Sequence, residues 1–248
     1  MLGRITSILT TFQGPERTLG ISEIARRTGI PKASTSRIVS ALVDERMLER
    51  AEGGVCLGIR LFELGEHASR PSDLRKLTLP HMADLRTGTG KTVHLAVLEG
   101  YDVVYIQILR SRSTPPLPSR VGGRLPAHAT GVGKVLLAHL PVDELEAHVR
   151  PELEKVGPRT ITDRDQLLRQ LKQIRDSGIS YEREESAVGV GCAASAILGS
   201  DGRPLAALSA SMHLANGNLN TLGAAVATSA SAATREAARS LRYTRLVP

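Results

Sequence analysis

The stretch that decides the fold of the first part of this chain is LGISEIARRTGIPKASTSRIVSALVDERMLER, residues 19–50. It holds two amphipathic patterns, with Gly29 between them and Pro31 at the start of the second. Glycine is favoured just past the end of a helix, and proline is favoured in the first turn of the next one. The stretch therefore predicts two helices joined by a tight turn, with Ser22 as the N-cap of the first.

The flanking residues extend this pattern on both sides. Apolar residues at three- and four-residue spacing predict a helix over 4–12. Residues 47–50 and 55–57 predict two short strands around Gly53-Gly54, a hairpin turn signal. Three helices followed by a hairpin are typical of a winged helix-turn-helix, whose recognition helix enters the major groove of DNA.

The charges around the predicted turn also favour DNA binding. Residues 17–37 carry five basic side chains and one acidic side chain, Glu23. We expect Ile38, Ala41 and Leu42 to face inward, and the polar side of the third helix to face the DNA. The alternative is a solvated helical hairpin in an ordinary bundle. The predicted DNA contacts are Arg26, Lys32, Ser34, Thr35, Ser36, Arg37 and Arg50.

Composition excludes several other classes of protein. The 248 residues carry a net charge of +7 and include two Phe, four Tyr and no Trp, which argues against an aromatic platform for single strands or RNA. The two cysteines are far apart, so neither a disulfide framework nor a structural zinc site is expected. No apolar run has the length of a membrane span, and no signal peptide is evident. These features predict a cytoplasmic protein.

The rest of the chain alternates helical and strand patterns. A connecting helix is expected over 60–69, with a boundary at Pro71-Ser72. Paired strands beside mostly segregated helices predict an α+β domain with an antiparallel sheet. The predicted strands are 93–98, 103–109, 179–183, 192–198 and 204–212, and the predicted helices are 73–87, 131–139, a short one after Pro141, 163–176 and 220–242.

Two glycine-rich stretches suggest nucleotide binding, but their context argues against it. Residues 189–194 match a loose dinucleotide fingerprint, yet a strand and a turn follow where a helix is required. Residues 129–135 resemble a phosphate loop, yet His128 replaces a required glycine and Val135 replaces the magnesium-binding hydroxyl. We therefore expect no cofactor.

Two polar features of the second part have two interpretations each. Cys192 is either a pocket-lining thiol or a nucleophile with a distant partner such as His128. Ser209 and Ser211 lie on one face of a strand, where they could bind a carboxylate or only water and backbone.

Over essentially its whole length the chain resembles the IclR family of bacterial transcriptional regulators. The resemblance rests on residues 19–50 and on three later stretches: GKTVHLAVLEGYDVVYI (90–106), VGGRLPAHATGVGKVLLA (121–138) and YEREESAVGVGCAASAILGSDGRPLAALSAS (181–211). It implies a winged DNA-binding domain over 1–59, a linker helix over 60–71, and a GAF-like effector-binding and oligomerisation domain over 72–248.

The resemblance also implies partners and a site. Family members bind double-stranded DNA as dimers or tetramers and sense small organic acids. The implied pocket residues are Ala127, Ala129, Thr130, Gly131, Val132, Glu182, Cys192, Ser209 and Ser211, with backbone N–H groups from Ala129 to Gly133 as an anion cradle. Glu182 stands where the family pattern has Asp, and almost no segment precedes the first helix, so DNA contacts from an N-terminal arm are not expected.

The resulting hypothesis is a one-component regulator, a repressor of a catabolic operon. Its effector would be an aliphatic keto or hydroxy acid or an aromatic acid, with no metal, no membrane and no catalysis. One alternative is a cysteine-dependent hydrolase or transferase that uses Cys192. Another is a DNA-binding protein whose second domain only oligomerises.

Overall fold

The computed structural model describes residues 1–111, 117 and 119–239. The chain divides into two compact units, Met1–Ser72 and Asp73–Pro248. Pro115, Pro116 and Pro118, as well as the predicted helix end at 240–242, lie outside the described residues. In the part of the chain that is described, no helix is both long enough and apolar enough to cross a membrane.

The first unit has the predicted order of elements. It consists of α1 (Leu2–Thr10), a 3-10 turn (Thr11–Gln13), α2 (Ile21–Thr28), α3 (Lys32–Asp44), β1 (Leu48–Ala51), β2 (Gly54–Leu57) and α4 (Ile59–Glu66). β1 and β2 form an antiparallel hairpin, so the winged helix-turn-helix is confirmed.

The turn between α2 and α3 follows the expected chemistry at its glycine but not at its serine. Gly29 ends α2 in the left-handed conformation, with φ of 69°. Ser22 does not cap α2, because the helix already begins at Ile21 and its N-cap residue is Gly20, without a side-chain bond. Pro31 is the N-cap residue of α3.

The inward face of α3 differs from the prediction. Thr35, Val39 and Leu42 are buried, whereas Ile38 is half-buried and Ala41 is exposed. Positions separated by four and then three residues lie on one stripe of a helix, which explains the observed set. The prediction was wrong because it assigned the threonine to the polar face by its hydroxyl and so rotated the stripe.

A third segment joins the hairpin. Leu19 and Val55 exchange two backbone hydrogen bonds of 3.0 Å, which fasten the segment before α2 to β2. The close approach leaves no room at Gly54, where a Cβ would lie 2.2 Å from the Leu19 carbonyl oxygen. This tie holds the hairpin against the segment that leads into α2.

The predicted boundary at Pro71-Ser72 falls inside a helix. α5 runs from Ser69 to Thr89 and contains Pro71 in its first turn, while α4 ends at Glu66. The N–H groups of the first turn have no partner within a helix, so a proline there removes no hydrogen bond. The proline that suggested a boundary is therefore compatible with a helix start.

The second unit is built on one antiparallel sheet of six strands in the order β5-β4-β3-β8-β7-β6. The strands are β3 (Thr92–Glu99), β4 (Asp102–Leu109), β5 (Arg124–Pro126), β6 (Ser180–Arg183), β7 (Val190–Leu198) and β8 (Pro204–His213). The α+β class is confirmed. The short edge strand β5 was not predicted, because its three residues give no alternating pattern.

Helices cover both faces of this sheet. They are α5, α6 (Gly131–Ala138), α7 (Val142–His148), α8 (Arg164–Ser177) and α9 (Asn220–Arg239). One core joins the sheet to α5 and α9, and the other joins it to α6 and α8. Since side chains alternate along β8, Leu208 and Ala210 face the first core, while Ser209 and Ser211 face the side of α6.

The Leu19–Val55 tie yields a stability prediction. We expect Gly54→Ala to lower the free energy of unfolding of the first unit by about 3 kcal/mol, because the new methyl group would separate two hydrogen-bonded segments. Chemical denaturation followed by circular dichroism measures this loss. Gly65→Ala is the control: a Cβ at this exposed helical position meets nothing within 4 Å, so it should leave stability unchanged or raise it by about 1 kcal/mol. Equal stability of the two variants would contradict the role of the tie.

Candidate functional site

One candidate surface lies on the first unit. Lys32 and Arg37 of α3 and Arg50 of β1 are exposed, and Ser34 and Ser36 are partly exposed. Lys32, Arg37 and Arg50 form no ion pair with any described residue. These five side chains are therefore available to a partner on the α3 side of the unit.

Arg26 is exposed but already paired within its own helix. Its guanidinium donates to both carboxylate oxygens of Glu23 at 2.9 and 2.7 Å. Arg27 donates to the same carboxylate at 2.6 Å and also pairs with Glu16. The hydrogen bonds from Arg26 and then Arg27 lower the pKa of Glu23 to about 2, so it stays ionised. Much of the basic excess predicted for 17–37 is thus neutralised on α2.

Thr35 contradicts its predicted place on the DNA-facing side. It is fully buried, and its hydroxyl donates to the carbonyl oxygens of Ile30 and Pro31 at 3.2 and 3.3 Å. A buried hydroxyl needs such a partner, and here it fixes the first turn of α3 to the preceding residues. Thr35 is therefore part of the unit's interior.

The second candidate site is a cavity between the sheet and the start of α6. Strand register places Glu182 of β6 opposite Cys192 of β7, and Cys192 opposite Ser211 of β8. Ser209 pairs with His94 of β3. Because opposite residues share a face, these side chains converge beneath α6. The described residues enclose about 30 Å³, room for one or two water molecules.

Seven of the nine predicted pocket residues line this cavity: Thr130, Gly131, Val132, Glu182, Cys192, Ser209 and Ser211. Ala127 and Ala129 do not; both are buried in the 3-10 turn before α6. The prediction missed further lining residues: His94, Tyr105, Leu117, Ser119, Leu125, Ser186 and Val190. Alternation along β3 and β4 could have suggested His94 and Tyr105, but Ser119 and Ser186 lie in loops without a pattern.

The predicted anion cradle at the start of α6 is partly occupied by the protein's own acceptors. Thr130 caps α6, and its hydroxyl accepts from the Gly133 N–H at 3.0 Å. The Cys192 sulfur packs against Gly131, where an added Cβ would lie only 2.6 Å from it. The Lys134 N–H donates to the Thr130 carbonyl at 2.9 Å. A ligand at this end of the cavity would have to compete with these bonds.

Glu182 is the acidic group of the cavity and is 1% exposed. Its Oε1 accepts from the N–H groups of Glu185 and Ser186 at 2.6 and 3.0 Å. Burial raises the pKa of Glu182 to about 7, although these two bonds favour the ionised form. No group of the described chain donates to Oε2. Glu182 therefore sits between its two protonation states near neutral pH.

His94 supplies a neutral imidazole to the same cavity. Its Nε2 lies 2.8 Å from the Ser119 hydroxyl, and its Nδ1 lies 3.4 Å from the Ser211 hydroxyl. Burial, together with the charge of Arg110, lowers the pKa of His94 to about 3. The ring is consequently uncharged and can donate from only one nitrogen.

A buried ion pair lies next to the cavity. Lys134 of α6 is completely buried, and its Nζ donates to Glu185 at 2.6 Å and to the Tyr181 carbonyl at 3.2 Å. Thr160 donates to the Glu185 carbonyl at 2.6 Å. The pair thus joins α6, β6 and the 157–160 loop behind Glu182. The sequence pattern gives no sign of this pair, because a lysine in a helix usually faces solvent.

The structure does not bring together the cysteine and histidine of the alternative catalytic centre. His128, the conceivable partner of Cys192, lies 3.0 Å from the Glu154 carbonyl and does not line the cavity. Within the described ranges, no three His, Cys, Asp or Glu side chains are grouped so that they could hold a metal ion.

Known proteins match both units. The IclR helix-turn-helix domain matches residues 1–52, and the bacterial transcriptional regulator IclR C-terminal domain matches residues 67–241. The HTH-type transcriptional regulator XynR of Escherichia coli K12 is 32% identical over 211 residues, 84% of each chain. The HTH-type transcriptional repressor AllR of the same strain is 31% identical over 213 residues, 85% of this chain and 79% of AllR.

A solved structure agrees with these matches. An IclR homologue from Microbacterium hydrocarbonoxydans, complexed with 4-hydroxybenzoate, superposes with a TM-score of 0.85 at 31% identity, covering 95% of this chain and 98% of that one. The matches cover both units, and the relatives are named as regulators, which contradicts the alternative of a hydrolase or transferase. The chain belongs to the IclR family of bacterial transcriptional regulators, and it is a DNA-binding regulator rather than an enzyme.

Proposed function

We propose that this regulator represses a catabolic operon and that a small organic acid in the cavity beneath α6 controls its affinity for DNA. The observation that carries the proposal is the convergence of Glu182, Cys192, Ser209, Ser211 and His94 on one buried cavity. Buried polar side chains around a cavity are typical of a ligand site. The 4-hydroxybenzoate complex of the Microbacterium homologue supports an organic acid.

The size of the cavity suggests how binding could change the protein. About 30 Å³ is far below the several hundred Å³ of a typical ligand pocket. An organic acid therefore requires a more open arrangement of the residues around the cavity. A ligand that binds the open arrangement more tightly shifts the population toward it. The size of the shift is set by the ratio of its affinities for the two arrangements.

The DNA-binding part of the proposal rests on the exposed residues of the first unit. We propose that Lys32, Ser34, Ser36 and Arg37 contact DNA from α3. We also propose that Arg50 contacts the sugar-phosphate backbone of the DNA from the hairpin. Arg26 would contribute little to DNA binding, because Glu23 balances its charge. Two copies bound as a dimer, or four as a tetramer, would contact paired half-sites. Such a regulator acts in the cytoplasm, where its DNA is.

Cys192 serves as part of the cavity wall in this proposal. Burial is the main cause that raises the pKa of its thiol, and the nearby Glu182 adds to the effect. The nucleophilic form of cysteine is the thiolate, so a thiol with a raised pKa is inert. Cys56 differs, because it is partly exposed on β2.

Arg37 tests the DNA-binding surface. We expect Arg37→Ala to weaken binding to a duplex selected from random sequence by about 1–3 kcal/mol if the side chain contacts a base. If it contacts only phosphate, binding to every duplex should weaken alike. The slope of log affinity against log salt concentration should then fall by about one. Fluorescence anisotropy at several salt concentrations distinguishes these cases.

Arg169→Ala is the matched control, because Arg169 is an exposed arginine on α8 in the other unit. It removes the same charge and should leave affinity and salt dependence nearly unchanged. If Arg37→Ala behaves like this control, α3 is not the recognition helix.

Ser209 and Ser211 test the effector site. We expect the double change to Ala to abolish the thermal stabilisation by short organic acids, including 4-hydroxybenzoate, because two donors to the acid are lost. Effector-free DNA binding should persist. Ser195→Ala is the control: Ser195 lies on the opposite face of β7 and bonds the Gly178 carbonyl at 2.9 Å. A double mutant that still responds at the wild-type concentration would refute the site.

The two cysteines should differ in reactivity. In the folded protein near pH 7.5, we expect iodoacetamide to modify Cys56 and to spare Cys192, because Cys192 is buried and protonated. Peptide mass spectrometry locates the modified thiol, and labelling in urea should modify both. Rapid modification of Cys192 in the folded state would show that its thiol is reactive and is not a passive wall.

A further inference from the structure

We propose that the cavity binds a monocarboxylate effector together with one proton, which is held between the effector's carboxylate and Oε2 of Glu182. The inference rests on the proposed function, because it concerns the same effector site. It adds the protonation state in which that site accepts an acid.

Only one carboxyl oxygen of Glu182 is held by the described residues. Its Oε1 is fixed by the N–H groups of Glu185 and Ser186, and no described residue donates to Oε2. The side chain is 1% exposed and lines the cavity. An acid bound beneath α6 would therefore lie near a carboxyl oxygen that has no donor among the described residues.

The described part of the cavity wall offers an acid no positive charge. Among the described lining residues there is no lysine or arginine, and His94 is neutral. Aliphatic side chains of Leu117, Leu125, Val132 and Val190 complete the wall. Two carboxylates in such a setting repel each other strongly, so one of them must carry a proton.

Charged and titratable groups from three neighbouring elements surround Glu182. Lys134 of α6 lies near Glu182, but its Nζ is bound to Glu185 at 2.6 Å. The charges of Lys134 and Glu185 therefore largely cancel. Cys192 of β7 and Tyr105 of β4 also lie near Glu182. Burial is the main cause that raises the pKa of both side chains, so both stay neutral. Arg110 hydrogen-bonds the Ser119 carbonyl and is not a lining residue.

The sign of the resulting pH dependence follows from Glu182, whose pKa is about 7 before an effector binds. Below pH 7 the proton is already present, and an ionised acid binds without further uptake. Above pH 7 Glu182 is ionised and must take up a proton on binding. The dissociation constant should therefore be flat below pH 7 and rise about tenfold per pH unit above it.

The experiment uses the full chain and two probe acids, benzoate and pyruvate, with benzamide and pyruvamide as their uncharged counterparts. Titration calorimetry from about pH 5.5 to 8.5, in buffers of different ionisation enthalpy, measures affinity and proton uptake together. We expect an acid to bind with uptake of nearly one proton at pH 8. The amide that binds should show no loss of affinity at high pH, because its N–H can donate to ionised Oε2.

Two variants sharpen the test. Glu182→Gln keeps a donor near the effector at every pH, so the affinity for the acid should become independent of pH. Glu184→Gln is the matched control, because Glu184 belongs to the same turn but bonds Gly189 and does not line the cavity. It should keep the wild-type slope. The wild-type proton uptake is decisive even if the Glu182 variant does not fold.

The outcomes are distinguishable. An acid that binds equally well at pH 6 and 8.5, without proton uptake, overturns the proton proposal and leaves the effector site of the proposed function intact. If neither acid binds at any pH, the proton proposal is overturned as well. In that case the amides and the Ser209/Ser211 experiment determine whether the cavity is an effector site at all.

Discussion

Both faces of the six-stranded sheet are covered by helices, so each polar side chain that is buried between them must find a partner inside the protein. Beneath α6 this constraint gathers Glu182, Ser209, Ser211 and His94 around one small cavity. Backbone N–H groups hold one oxygen of Glu182, and two serine hydroxyls lie beside the ring nitrogens of His94.

The same burial decides the electrostatics. A fully buried lysine could have made the cavity cationic, but Lys134 is bound to Glu185 and to the Tyr181 carbonyl. The cavity is left with a carboxyl group near its point of titration and a neutral imidazole. A site that attracts acids by charge would need the opposite arrangement. Selectivity in this chain would come from hydrogen bonds and a proton instead.

The first unit shows how neighbouring charges alter a basic surface. Counted along the chain, residues 17–37 carry four more positive than negative charges. In space, Glu23 and Glu16 pair with Arg26 and Arg27, which leaves Arg17, Lys32 and Arg37 without an ion pair among the described residues. Two of these three cations lie on α3, the helix that we propose contacts DNA.

The sequence by itself determined the family and the order of the described α-helices and strands, except for the short strand β5. Strong local signals, such as Gly29 after α2 and the alternation around Ser209 and Ser211, act over a few residues and survive in any context. Only the tertiary structure decided that Thr35 is buried, that the Ala127 and Ala129 side chains leave the cavity, and that Lys134 pairs with Glu185. Each of these depends on contacts between residues distant in sequence or on the exact rotation of a helix. The pKa of Glu182 depends on the same contacts, because burial and hydrogen bonds set it and the residue type does not.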